Sequence, residues 1–410
     1  EKESIISNEV DFLVMRGKQA LEKYYELTQE DVDQIVAKVS VAAIDAHGHL
    51  AKVAVEETKR GVFEDKATKN LFAVEYVINH MRHLRTVGII KEDKVTGITE
   101  IADPVGVVCA ITPVTNPTST VIFKSLIALK TRNPIIFAFH PSAQNSSKEA
   151  ARIVKEAAVK AGAPEYCIQW IETPSMENTN ALMNHPDVAT ILATGGNAMV
   201  KAAYSCGKPA LGVGAGNVPA YIEKTAHIKQ AVNDIVMSKA FDNGMVCASE
   251  QAVIIDESIY DEVVKEFKEL HVYFCNKEEK KKLQELIFPD GVKLNPIIVG
   301  QSAYDIAQMA GFEVSKDTNI LAVECKLVGV KEPLTREKLS PVLAFLKSKD
   351  SKEGIKLAMQ MVELNGLGHS AVIHTQNKEI VDEFGLKLKA IRIIWNSPAT
   401  FGGIGNIYNR

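Results

Sequence analysis

Val105-Gly-Val-Val-Cys-Ala-Ile111, Pro134-Ile-Ile-Phe-Ala-Phe139 and Val188-Ala-Thr-Ile-Leu-Ala193 are short runs that stay apolar on both faces, and stretches with helical spacing at 119–130 and 146–161 separate them. Strands apolar on both sides belong to parallel sheets covered by helices, and the crossovers between them are right-handed. The segment reads as a doubly wound α/β sheet, extended by strands at 168–171 and 209–213 and by a helix at 197–205. Ligands of such sheets gather where strands end and helices begin. That singles out the loops 112–117, 140–142 and 194–197, with Thr112, Pro113, His140, Pro141, Ser142, Thr194, Gly195 and Gly196 as candidate binding residues.

On the N-terminal side, residues up to about Thr86 read as helices. Thr28-Gln-Glu-Asp31 has the form of a capping box, and Ile35, Val36, Val39, Ala42 and Ala43 follow at helical steps. A polar, β-leaning stretch at 94–103 reads as a projecting hairpin. On the C-terminal side the same grammar restarts after Ala226. A helix is expected at 228–240, a strand at 251–255, helices through 261–286, a strand at 341–346, a helix at 353–364, and strands at 370–374 and 390–395. A glycine-rich link at 214–226 marks the domain boundary, giving domains 1–214 and 215–410, and no internal repeat is present.

A chain of 410 residues exceeds what one hydrophobic core holds, so two domains fit the length as well as the pattern. The 47 basic and 51 acidic side chains leave a formal net charge of −4 without a basic stripe, which argues against nucleic acid as a partner. No apolar run approaches the ~20 residues of a membrane span. The N-terminal Glu1-Lys-Glu-Ser-Ile-Ile-Ser-Asn-Glu-Val10 lacks the blocks of a signal peptide, so a soluble, cytoplasmic protein is expected. Cys109, Cys167, Cys206, Cys247, Cys275 and Cys325 are scattered without ligand spacing, so neither a disulfide framework nor a metal site is expected.

Several motifs carry two readings each. Thr194-Gly-Gly-Asn197, at a strand end and opening a helix, suits a phosphate, and equally suits a two-glycine left-handed turn. Gly212-Val-Gly-Ala-Gly-Asn217, with Gly214 at its centre, is a second phosphate loop or a place where backbones pass closely. Asn116, between Pro113 and Pro117, is an oxyanion donor or a turn residue. Cys247 lies in a loop of small residues before a buried strand, a setting open to a nucleophile, whereas Cys109 inside an apolar strand reads as packing. His185, His369, His374 and Glu337 have structural readings by default, and the run 277–282 reads as an exposed helix face.

Taken in order, Thr115-Asn-Pro-Thr-Ser-Thr120, Ala193-Thr-Gly-Gly196, the 212–217 run, Phe241-Asp-Asn-Gly244 through Cys247-Ala-Ser-Glu-Gln251, Glu337-Lys-Leu-Ser-Pro-Val342 and Phe401-Gly-Gly403 resemble the aldehyde dehydrogenase superfamily. Within it they resemble the coenzyme-A-acylating branch that forms the N-terminal half of bacterial bifunctional aldehyde-alcohol dehydrogenases. The resemblance implies two doubly wound three-layer αβα domains, the first (1–214) Rossmann-like and NAD-binding, the second (215–410) catalytic, with the hairpin serving oligomerisation. It places Cys247 as nucleophile, Asn116 as oxyanion amide and Thr194 to Gly196 beneath the dinucleotide pyrophosphate. Glu337 falls on the nicotinamide ribose and His140 to Ser142 on the adenine ribose, where the family's usual lysine and glutamate are absent. His369, in Gly366-Leu-Gly-His369, stands where it would help ionise an incoming thiol or serve structure alone.

The departure with chemical content is Gly212. Hydrolytic relatives carry a glutamate there, 35 residues before the cysteine, that activates the deacylating water. Losing such a base costs a factor of ~100 to 10,000. A thiol, with a pKa near ~8.5, needs no such base, so coenzyme A is implied as acyl acceptor. The implied activity is reversible oxidation of a short aldehyde such as acetaldehyde to acyl-CoA with NAD. A hydrolytic dehydrogenase, an acyl-phosphate reductase and an assembly module are the competing readings. The resemblance also implies a homo-oligomer and a following iron-dependent alcohol dehydrogenase domain, because relatives continue past the point where Tyr408-Asn-Arg410 ends this chain. No ligand set for that iron is expected within these residues.

Overall fold

Helices Lys2–Tyr24, Gln29–Asp45, His47–Thr58 and Phe63–Met81 open the chain. The structure is a computed structural model describing residues 2–404, with side chains from residue 9 onward. The capping box forms as read: the Thr28 hydroxyl accepts from Asp31 N, and the Asp31 carboxylate accepts from Thr28 N at 2.8 Å. Val32, Ile35, Val36, Val39 and Ala43 then fall on one buried face.

The hairpin pairs β1 (Gly88–Asp93) with β2 (Ile98–Ala102) antiparallel. The expected stretch 94–103 therefore covers only its turn and second strand. The first strand was hidden because Lys91-Glu92-Asp93 breaks the apolar alternation, and Asp93 Oδ1, by accepting from Val95 N and Thr96 N, sets the turn. Ile89, Ile98 and Ile101 are exposed.

The first sheet is parallel: β3 (Val107–Ile111), β4 (Ile135–Ala138), β5 (Ile168–Trp170), β6 (Val188–Thr194) and β7 (Ala210–Val213), in the order β5-β4-β3-β6-β7. Alternate residues serve opposite layers. Val108, Ala110, Ile135 and Phe137 pack with Ile35, Val39, Leu126 and Val154, while Cys109, Ile111, Ile136 and Ala138 pack with Val10, Val14, Leu182 and Ala203. Both faces are covered, which is why these strands read as uninterrupted apolar runs. The strand order turns back between β3 and β6, so the crevice for a ligand lies at their C-terminal ends.

The second sheet runs β10-β11-β12-β9-β8-β13-β14, again parallel: β8 (Val218–Ile222), β9 (Glu250–Asp256), β10 (Val272–Phe274), β11 (Ile320–Glu324), β12 (Val342–Ser348), β13 (Ser370–His374) and β14 (Arg392–Trp395). Here the structure adds to the sequence reading. β8 lies inside the stretch taken as a link, because Pro219 argues against a central strand; the pairing with β9 shifts register between Val218 and Pro219, which accommodates it. The helices expected through 261–286 are two, Tyr260–Glu269 and Lys277–Ile287, with β10 between them. β11 and the helices Ala303–Ala310 and Lys378–Lys387 were not foreseen.

The chain divides into two compact units, one holding 66–214 with residues up to Lys59, the other holding the chain from Ala215 together with Arg60–Asp65. That short segment is held within the second unit by hydrogen bonds. Arg60 Nη1 donates to the carbonyls of Pro296 (2.7 Å) and Val299 (2.8 Å), Gly61 N to Gly300 O (2.8 Å), and Val62 N to Asp242 Oδ1 (2.8 Å). The end of the chain at Tyr408-Asn-Arg410 lies outside the described residues. Among the described residues no helix is long and apolar enough to cross a membrane, and no group of three or more His, Cys, Asp or Glu is placed to hold a metal.

Candidate active site

In the second unit, helix Ile228–Ala240 ends at Phe241 and the chain turns through Asp242 (φ 49°), Asn243 (φ 51°) and Gly244 (φ 70°), successive residues in the left-handed region. Asp and Asn tolerate that region better than other side chains, but two in a row need support. It comes from Val62 N on Asp242 Oδ1, from Asp242 N on Asp65 Oδ2 (2.8 Å), and from Asn243 Nδ2 on Gly300 O (3.0 Å). The turn delivers Met245-Val246-Cys247 just ahead of β9, and Ser249 N closes the loop onto Val246 O at 2.8 Å. Its neighbours Met245, Val246 and Ala248 are buried, whereas Cys247 is half-exposed. Burial pushes the Cys109, Cys167, Cys275 and Cys325 thiols up to about 12, so those sulfurs stay protonated and inert.

Gly216 is the hub around Cys247. A Cβ on Gly216 would stand 2.1 Å from Cys247 O and 3.1 Å from His369 Nδ1, so only a bare Cα fits between them. The Gly216 N–H donates to Glu337 Oε1 at 2.9 Å. Cys247, His369 and Glu337 are thus gathered about one residue of the second glycine run. Burial raises the Glu337 carboxyl to about 7, against the lowering pull of the Gly216 N–H, Lys239 and Lys338. Burial lowers His369 to about 4, with Arg392 adding to the effect, so its imidazole is neutral near pH 7. His369 Nδ1 meets Ser370 Oγ at 3.1 Å, and its Nε2 is buried without a hydrogen-bond partner among the described residues.

In the first unit the C-terminal ends of β3, β4 and β6 carry the other candidates. Lys124 is buried on helix Pro117–Lys130 and donates to Ile111 O (2.8 Å) and Leu192 O (2.9 Å), tying β3 to β6 at the crevice; burial lowers its amine to about 7. Thr112, next along, has a buried hydroxyl with no partner among the described residues, an orphan of the kind a bound group satisfies. After β6, Gly196 caps helix Asn197–Tyr204 with φ −65° and ψ 157°. Neither Gly195 nor Gly196 is left-handed, which removes the turn reading, and a Cβ at Gly196 would meet nothing within 4 Å. Open space over a helix start is what a pyrophosphate requires, so these residues fit a dinucleotide. Gly214 packs on Asn197, where a Cβ would stand 2.5 Å from Oδ1.

After β4, His140 caps the short turn Pro141–Ala143 by accepting from Ser142 N (3.1 Å). The helix that follows, Gln144–Lys160, begins on a carboxylate that the sequence did not point to: Glu57 accepts from Asn145 N (2.8 Å) and Ser146 N (2.7 Å). Asn116 sits where β3 gives way to helix Pro117–Lys130. Its Oδ1 accepts from Lys69 Nζ at 2.6 Å, and its Nδ2 donates to Thr115 Oγ1 at 3.0 Å. Lys69, Lys66 and Asn70 also escaped the sequence reading, although lysines on the buried stripe of a helix are the signal that marks them. At Gly212 a Cβ would stand 2.6 Å from Val200 Cγ1 and 3.0 Å from the Tyr204 ring, so the 212–217 run serves close packing along its length.

The Streptococcus pneumoniae aldehyde-alcohol dehydrogenase is 68% identical over all of this chain, and the chain spans 47% of that protein, about half its length. An acetylating aldehyde dehydrogenase from Geobacillus thermoglucosidasius superposes with a TM-score of 0.97 at 47% identity, covering 100% of this chain and 90% of that one. The Rhodopseudomonas palustris propionaldehyde dehydrogenase, solved with bound CoA and an acylated cysteine, has a TM-score of 0.87 at 29% identity over 97% of this chain and 90% of its own. The aldehyde dehydrogenase family's sequence model matches residues 4–275, a span that takes in the first sheet and its loops and the turn bearing Cys247, and the chain belongs to that family.

Proposed function

We propose that this chain oxidises a short-chain aldehyde, acetaldehyde in the first instance, to its acyl-CoA with NAD, reversibly and through a thioester on Cys247. The observation that carries the reading is Gly212: where hydrolytic members hold the glutamate that recruits water, this chain has no carboxylate and, with Val200 Cγ1 2.6 Å from a Cβ there, no room for one. A thioester without a positioned base resists water and yields to a thiolate. The acylated cysteine of the Rhodopseudomonas protein supports the same route.

The Cys247 thiolate adds to the aldehyde carbon, and the carbonyl oxygen becomes an alkoxide. The Asn116 amide donates to that oxygen as charge develops on it. When bound, the nicotinamide supplies the acceptor for the hydride that leaves the same carbon, and the thioester remains on Cys247. The thiolate of coenzyme A then attacks the acyl carbon, the Cys247–carbon bond breaks, and the Cys247 thiolate returns. The neutral His369 imidazole is the candidate acceptor for the incoming thiol's proton. Glu337 holds the nicotinamide ribose, Thr112 and Thr194 to Gly196 line the pyrophosphate, and Pro113 and His140 to Ser142 border the adenosine end. The Glu57 carboxylate there favours NAD, since a 2′-phosphate would meet like charge.

The exposed Ile89, Ile98 and Ile101 of the hairpin support a role for it in self-association. A fused alcohol dehydrogenase and a reducing, cytoplasmic setting complete the reading; the first follows the Streptococcus relative's name and length, the second the need for an unoxidised thiol. The test is NADH formation from acetaldehyde with and without coenzyme A, with the product identified. Acetyl-CoA formed only when coenzyme A is present is expected. Free acetate at an equal rate without it, or a strict requirement for phosphate, overturns the proposal.

A further inference from the structure

Helix Phe63–Met81 turns a polar stripe inward. Lys66, Lys69 and Asn70 are 3%, 4% and 1% exposed, at the three- and four-residue spacing that puts them on one face. Lysines are almost never buried without a partner that repays their desolvation. All three reach the loop that carries Asn116: Lys66 Nζ donates to Thr115 O (3.2 Å), Lys69 Nζ to Asn116 Oδ1 (2.6 Å), and Asn70 Oδ1 accepts from Thr118 Oγ1 (2.7 Å) while its Nδ2 donates to His47 O (3.0 Å). The two lysines thus meet the loop at Thr115 and Asn116, and Asn70 ties the first turn of the helix that follows to His47.

We propose that Lys69 is a positioning residue that sets the orientation and the donor strength of the Asn116 amide. This inference rests on the reading of Asn116 as the oxyanion donor. An ammonium only donates, so the atom of Asn116 that meets it must be the carbonyl oxygen. That contact fixes the amide's rotation, with Nδ2 on the opposite side and one of its hydrogens on Thr115 Oγ1. The other hydrogen is the one an oxyanion needs. Without Lys69 the amide loses the contact that tells its two ends apart, and its flipped form offers an oxygen to a developing negative charge. The charge-assisted bond also draws electron density from the amide oxygen, which makes the N–H a stronger donor, and enclosure amplifies the effect.

The test is a double-mutant cycle on the full 410-residue chain with Lys69→Met, which keeps most of the length and removes the charged tip, and Asn116→Ala. Removing an oxyanion donor costs about 100- to 1,000-fold in kcat, and Lys69→Met is expected to lose about 10- to 100-fold, with the KM for aldehyde changed less than about twofold. Alkylation of Cys247 by iodoacetamide, which needs no oxyanion donor, should be unchanged. In the double variant the losses should not multiply: it should match Asn116→Ala alone. Multiplying losses, or full kcat in Lys69→Met beside a large loss in Asn116→Ala, overturns the proposal and leaves the oxyanion reading intact. A loss under about tenfold in Asn116→Ala removes the oxyanion reading, and the proposal with it. If Lys69→Met does not fold, Lys69→Arg keeps the charge and displaces the donor; a severalfold lower kcat with an unchanged melting temperature supports the proposal, and an undiminished kcat overturns it.

Discussion

Gly216→Ala tests how tightly the second unit frames its cysteine. The new methyl would stand 2.1 Å from Cys247 O and 3.1 Å from both Cys247 C and His369 Nδ1. Real Cβ contacts with backbone are not found under 3.0 Å, so Cys247 or the 212–217 run must move by about 1 Å. Gly216 is not left-handed, so the cost is one of space and not of backbone conformation. Overpacking of this kind destabilises by ~1–3 kcal/mol, and a ~1 Å misplacement of a reacting group costs about 100-fold in rate. The expected result is an acylating kcat about 100-fold lower with a melting temperature down by only a few degrees. The assay is NADH formation from acetaldehyde and coenzyme A, run beside a thermal melt. Gly196→Ala, where a methyl meets nothing within 4 Å, is the control: its melt should match the wild type, while its KM for NAD should rise if the pyrophosphate approaches that backbone. A Gly216→Ala enzyme within about threefold of wild-type kcat and unshifted in its melt would refute the reasoning.

Cys247→Ser should abolish turnover and leave NAD binding in a fluorescence titration intact; substantial residual turnover would unseat the nucleophile. Gly212→Glu alone should lower stability by ~1–3 kcal/mol in a denaturant melt without creating hydrolysis, since Val200 Cγ1 stands 2.6 Å from the new Cβ, whereas pairing it with Val200→Ala should give measurable acetate release without coenzyme A. Glu57→Gln should raise the NADP-to-NAD ratio of kcat/KM by about fivefold, the worth of one carboxylate at a helix start. Burial lowers His374 to about 4 from an ordinary 6.5, so the unfolded chain takes up that proton first and His374 costs stability as pH falls from about 6.5 toward 4. His374→Gln should flatten that part of the stability curve measured by urea melts; an unchanged slope would contradict the assignment.

The two parallel sheets were legible because buried strands must be apolar on both faces, and Val107–Ile111 and Ile135–Ala138 could be read no other way. β8 was not, because Pro219 masks a central strand that a register shift rescues. Cys247 was marked by its loop of small residues, while Gly216 was one glycine in a run until the positions of Cys247 and His369 gave it a reason. Glu57 lies 88 residues from the helix start it caps, and no local pattern spans that distance. Lys66 and Lys69 were passed over because a charged residue in a helix is assigned to solvent by habit of composition, although their spacing places them on the stripe that must face inward.

Arg60–Asp65 has a bearing on how the protein is made. Val62 N and the Asp65 carboxylate reach a partner about 180 positions later in the chain, at the strained bend ahead of the thiol. During synthesis this short strap emerges long before anything exists for it to hold, and a contact of such sequence separation forms slowly. The bend ahead of Cys247 is therefore completed only after translation has passed Gly300. A gene cut at Gly214 would give a C-terminal fragment that keeps the cysteine and lacks the clasp that locks its bend.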